Sequence, residues 1–127
     1  MIATSASFVM DFDLQRLGSL TATEADTLPY GVIKLDDQGN ILLYNQYNTD
    51  HFLYEAHEVA GKNYFSEVVP CSNNFMFKGR FFRGVEAGNL NTIFDFVFTY
   101  RIQPTPVKIH LYRDPVSKSN WIFVKKK

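Results

Sequence analysis

Among 127 residues there is one cysteine, Cys71, in the run Val69-Pro70-Cys71-Ser72-Asn73-Asn74. A lone thiol excludes an internal disulfide and a cysteine-based zinc site. It leaves two readings, a small buried hydrophobe or a nucleophile. The residues after it read as a helix. Unpaired N–H groups and the positive dipole end at that helix start favour thiolate over thiol. A thiolate so placed can attack an activated acyl group. A Cys/His hydrolase would need the fold to bring His110 or another histidine to Cys71, with a third group to orient it, and no local motif supports that. His51, His57 and His110 are not spaced as a metal pair on one helix or strand. No glycine-rich phosphate loop occurs, the carboxylates are scattered, Asp36-Asp37 sits in a turn, and Lys125-Lys126-Lys127 reads as a solvated strand end. With Lys+Arg 13 against Asp+Glu 13, the chain is not a strongly basic nucleic-acid binder. No run approaches the ~18 apolar residues of a membrane span, and Met1 to Ser7 lacks the positive flank of a secretory signal, so a cytoplasmic protein is expected.

The length predicts one domain with one hydrophobic core. Aromatic residues make up 16% of the chain, with 12 Phe and 7 Tyr, so that core is expected to be built from rings around an aromatic-lined cavity. The first 28 residues carry apolar positions in loose helical spacing, broken at Gly18, and predict a weakly held helical segment with Asp11, Thr21 or Thr23 as N-caps. Gly31 to Asp36 and Asn40 to Asn45 read as a hairpin around Asp37-Gln38-Gly39. Glu55 to Ala60 is a short helical candidate ended by Gly61, and Pro70 closes the segment Tyr64 to Val69. From Phe75 to Ala87, Phe77, Phe81 and Val85 recur at i, i+4 and i+8 and predict an amphipathic helix stopped by Gly88. Phe94–Arg101, Val107–Arg113 and Asn120–Lys125 show the alternation of strands. Two strands, helices and three strands predict an α+β domain with an antiparallel sheet of about five strands.

Several blocks in order carry a resemblance. They are Gly31-Val32-Ile33 through Gly39 to Asn45, Gly61 to Phe65 with Val69-Pro70-Cys71, Gly84 to Thr92, Pro104-Thr105 with Val107 to His110, and Trp121 to Lys125. Ungapped from about Leu28 to Lys126, they resemble the photoactive yellow protein family, whereas the first 28 residues match poorly. The resemblance implies a PAS fold, with a five-stranded antiparallel sheet flanked by helices, an N-terminal cap over residues 1–28 and a PAS core over 29–127. It implies a blue-light photoreceptor rather than an enzyme. In that family p-coumaric acid (4-hydroxycinnamic acid) forms a thioester with the cysteine matching Cys71, isomerises from trans to cis in light, and thereby loosens the N-terminal cap.

By the same resemblance, Tyr44 and Asn48 hold the phenolate, and Phe52, Tyr54, Tyr64, Phe65, Val68, Pro70, Phe98, Tyr100 and Ile102 line the pocket. Four positions depart from the family. Asn48 replaces a glutamic acid, Phe52 a threonine, Tyr54 an arginine and Ile102 a methionine. Loss of a cation and two polar partners implies a raised phenol pKa. An amide can donate but cannot hand over a proton, so the isomerised phenolate would take its proton from water or another group. Branched Ile102 implies slower dark recovery. A monomer with an unidentified downstream signalling protein is expected, and the charge balance and absence of a long apolar run predict no nucleic-acid or membrane partner. Two other readings stand beside it: a PAS module that binds a small ligand or a protein without chromophore, and a thiol-dependent enzyme.

Overall fold

The computed structural model describes residues 8–100 and 103–127. Five strands, β1 (Gly31–Leu35), β2 (Ile41–Tyr44), β3 (Asn91–Phe98), β4 (Thr105–Asp114) and β5 (Ser119–Lys126), form one antiparallel sheet in the order β2-β1-β5-β4-β3. The short helices are α1 (Asp11–Leu14), α2 (Ala22–Ala25), α3 (Gln46–His51), α4 (Ala56–Val59) and α5 (Arg80–Ala87). This is the α+β architecture that the strand alternation predicts.

The β1–β2 turn closes as its residues dictate. Asp36 accepts from the N–H groups of Gln38 (3.0 Å) and Asn40 (2.8 Å), and Gly39 takes φ +89°. A Cβ at Gly39 would also lie 3.1 Å from the Phe65 ring. Glycine therefore serves both the turn and the close approach to the ring beneath it. The expected helix from Phe75 to Ala87 forms, but its first turn, Phe75–Gly79, is π-helical and only α5 is regular. Asn74 caps it, accepting from Phe77 N–H at 2.8 Å, and Gly88 at φ +70° ends it. A second π turn spans Tyr64–Val68. In both, the wider i to i+5 winding inserts a bulky ring into the core.

Alternation along β4 predicts one buried face, yet both are covered. Ile33, Leu35, Val107, Ile109, Leu111, Ile122 and Val124 point into the main core, beneath Tyr64, Phe65, Phe77 and Phe81. Val32, Trp121 and Phe123 form a second cluster on the other face with Val9, Leu17 and Tyr30. Only Val9, Leu17 and Ala25 are buried between residues 8 and 28. Phe8, Leu14, Leu20 and Leu28 add partly buried contacts to the second cluster. Thr21 is the true cap, in a capping box with Glu24, whereas Asp11 is the first residue of α1 and Thr23 lies inside α2. At the opposite terminus Lys125 is more than a solvated end, since its Nζ donates to Pro29 O at 2.8 Å.

His110 lies on β4 under this N-terminal segment, 2% exposed, among the rings of Phe8, Tyr112 and Phe123. Its Nε2 is 2.7 Å from Asn91 Oδ1, and its buried Nδ1 has no partner among the described residues. Burial pushes its pKa down to about 4. The unfolded chain, titrating near 6.5, then binds more protons than the folded one between those values, so stability is full above pH 6.5 and falls as the pH drops. We expect a loss of about 2 to 3 kcal/mol by pH 4. Urea melts of the wild type and His110→Phe across this range isolate it from carboxylate effects, and a stability difference independent of pH would refute it.

Candidate functional site

Cys71 sits in a 3-10 turn, Pro70–Ser72, pinned by the buried Ser72 hydroxyl donating to Val69 O at 2.6 Å. The expected position at a helix start needs correcting. Asn74, three residues on, caps the helix, and its side chain reaches back to donate to Cys71 O at 3.0 Å. Cys71 is half-buried instead against the main aromatic core, which also holds Tyr44, Phe52, Tyr64, Phe65, Val68, Phe98 and Tyr100. Phe52 stands edge-on to Phe98 at 5.3 Å, and Phe98 is edge-on to Tyr100 at 5.5 Å. Tyr64 is fully buried, and its hydroxyl is held well above the ordinary phenol range, first by burial and then by the nearby Tyr100, Tyr44 and Cys71. The fold thus draws one thiol and three phenols from four separate segments into a single apolar environment.

Other expected residues lie elsewhere. Pro70 is exposed, and Tyr54 stands at the rim, with a left-handed φ of +70° that a bulky side chain adopts only at some cost. Ile102 lies outside the described residues. Of the histidines, His51 stacks on Tyr47 at 4.0 Å, His57 is exposed on α4, and His110 is under the N-terminal segment.

Tyr44 ends β2 and donates its hydroxyl to Leu53 O. Asn48, on α3 and 1% exposed, donates both amide hydrogens, to Asn45 Oδ1 (2.8 Å) and Val32 O (3.3 Å). Its Oδ1 packs so closely on Gly31 that a Cβ there would be 2.4 Å away. Asn48 in this conformation fastens α3 to β1.

Asn45, which the sequence reading passed over as the end of a strand, proves central. Only 1% exposed, it accepts from Val32 N–H and Asn48, and donates to Ala25 O (2.7 Å) and Tyr30 O (3.0 Å). It therefore joins α2 and the N-terminal segment to the residue next to Tyr44. An asparagine immediately after a strand and before a helix was the available signal, since its amide can satisfy backbone groups that the strand end leaves open. Tyr44 also borders a surface groove of about 190 Å³ lined by Ala22, Ile41, Ala56 and Ala60, between α2 and α4.

Among the described residues no helix is long and apolar enough to cross a membrane. Comparison with known proteins gives a family-model match described as PAS fold over residues 21–123. The chain is 43% identical to the photoactive yellow protein of Rhodothalassium salexigens over 103 residues, 81% of this chain and 82% of that protein. It is 40% identical to that of Halochromatium salexigens over 110 residues, 87% and 88% of the two chains. The photoactive yellow protein domain of the sensor histidine kinase Ppr from Rhodospirillum centenum superposes with a TM-score of 0.83 at 37% identity, covering 89% of this chain and 99% of that one. Matches of this extent, together with the sheet order and the aromatic core against which Cys71 packs, place the chain in the photoactive yellow protein family, PAS-fold photoreceptors rather than enzymes.

Proposed function

We propose that this chain is a blue-light photoreceptor that carries p-coumaric acid as a thioester on Cys71. The supporting observation is that Cys71 packs against the same ring-lined core that contains the Tyr44 phenol. The rings of Phe52, Phe98 and Tyr100 in that core suit contact with a flat aromatic acid, and a thiol fits its activated carboxyl. Acylation forms a bond from Cys71 Sγ to the carbonyl carbon, breaks the bond to the activating group, and passes the thiol proton to that leaving group. The bound chromophore supplies trans-to-cis photoisomerisation.

Tyr44 and Asn48 are the proposed donors to its ring oxygen. Each must release a present acceptor to do so, Tyr44 the Leu53 carbonyl and Asn48 the longer of its two bonds, to Val32 O. Asn48 cannot serve as an acid, so protonation of the isomerised ring falls to water or a phenol. Signalling, in this reading, is release of the cap at residues 1–28 from the core at 29–127. Asn45 is the physical link, because disturbance at Tyr44 and Asn48 reaches Ala25 O and Tyr30 O through one side chain. The reading further assigns a cytoplasmic monomer that hands its signal to another protein.

Reconstitution of the apoprotein with activated p-coumarate tests the proposal. A yellow protein heavier by one p-coumaroyl group is expected, with faster amide exchange in the described cap residues 8–28 under blue light than in the dark. A colourless, unmodified protein would overturn the chromophore assignment. A coloured protein whose cap exchanges alike in light and dark would overturn the signalling route.

A further inference from the structure

We propose that the Tyr64 hydroxyl is a third hydrogen-bond donor to the chromophore ring oxygen, the partner available while the Asn48 amide stays engaged with β1; this rests on the Cys71 reading above. Tyr64 is 1% exposed, its ring set edge-on to Phe65 at 5.3 Å and tilted on Phe77 at 6.0 Å. Its backbone is fixed from both sides. Tyr64 N–H donates to Gly39 O at 2.9 Å, and Tyr64 O accepts from Val69 N–H at 2.8 Å, two residues before Cys71. These bonds hold the Tyr64 backbone in the π turn that leads to the thiol.

Packing alone does not account for the oxygen. Phe65 and Phe77, the neighbours of this ring, fill equally buried places without one. Tyr64 is 1% exposed, and its hydroxyl makes no hydrogen bond to another described residue. The groups around it are Tyr100, Tyr44 and Cys71, the phenol and thiol between which the ring oxygen and thioester would lie. An anionic oxygen arriving there supplies an acceptor, and the O–H can turn toward it without moving the ring. Asn48 is less free, with both amide hydrogens taken and its carbonyl oxygen against Gly31. Donation from Tyr64 favours phenolate over phenol and offsets part of what the exchange of glutamic acid for Asn48 removes.

The test compares wild type and Tyr64→Phe, each reconstituted with activated p-coumarate, checked by mass for loading and titrated by absorbance. Loss of the hydroxyl is expected to raise the midpoint of phenol protonation by about one pH unit, a roughly tenfold change in that equilibrium, with loading intact. The unloaded Tyr64→Phe protein is expected to be at least as stable as the unloaded wild type, because the oxygen it lacks makes no hydrogen bond to another described residue. In the wild type itself, the tyrosine ring-carbon NMR signal of Tyr64 should shift on loading. Equal midpoints in two loaded proteins, or a Tyr64 signal indifferent to loading, would overturn the assignment of Tyr64 while leaving that of Cys71. Wild type that never acquires the adduct overturns the Cys71 reading, and this one with it.

Discussion

Cys71→Ala protein mixed with activated p-coumarate is expected to stay colourless and unmodified, while the wild type acquires one acyl group under the same conditions. The effect is all-or-none because this is the only sulfur nucleophile of its kind in the chain. Burial holds the neighbouring Tyr64 hydroxyl as the neutral phenol, a poor competitor for the acyl group. Structure is not at stake in the comparison. Cys71 is only half-buried, and the turn around it is held by Ser72 and Asn74 rather than by the thiol. Removing one sulfur from such a site costs on the order of 1 kcal/mol. Intact-mass spectra and visible absorption of folded variant and wild type decide the matter, and stoichiometric acylation of the alanine variant would remove Cys71 from its role.

Asn45→Ala is expected to cost about 3 to 5 kcal/mol of stability. Four hydrogen bonds vanish together, those with Val32 N–H, Asn48, Ala25 O and Tyr30 O, at a place 1% exposed where water does not readily replace them. The consequence should not be uniform. Residues 8–28 lose one of their ties to the sheet, so amide exchange there should quicken in the dark, beyond the change in β4 and β5. Urea denaturation gives the global figure and residue-resolved exchange the local one. A drop below about 1 kcal/mol with unchanged cap protection would show that the Asn45 network neither stabilises the fold nor couples the cap to the site.

The same two residues show how far a linear reading reaches. Cys71 was legible as chemistry because a single thiol after Pro70, with Tyr44 in a matching block, is a feature of composition and order. Its supposed helix-dipole activation was not, because Asn74 competes for the cap position and only the backbone path shows which side chain meets Phe77 N–H. Asn45 was passed over because all four of its partners lie three or more positions away, up to twenty in the case of Ala25. Tyr64 and Phe65 were both legible as pocket rings, yet the difference one oxygen makes depends on which hydroxyls surround it.

Alternation of ring and polar residues, Gly39 in its turn and Gly88 at its helix end were enough to specify strands, hairpin and helix stop, because each acts through the backbone within a few residues. The second buried face, the neutral His110 beneath it, the clamp at Asn45 and the gathering of Tyr44, Tyr64, Tyr100 and Cys71 arise only when distant segments pack. Burial and hydrogen-bond partnership are properties of contacts made across the chain, so side chains identical in type acquire different roles according to what the fold sets against them.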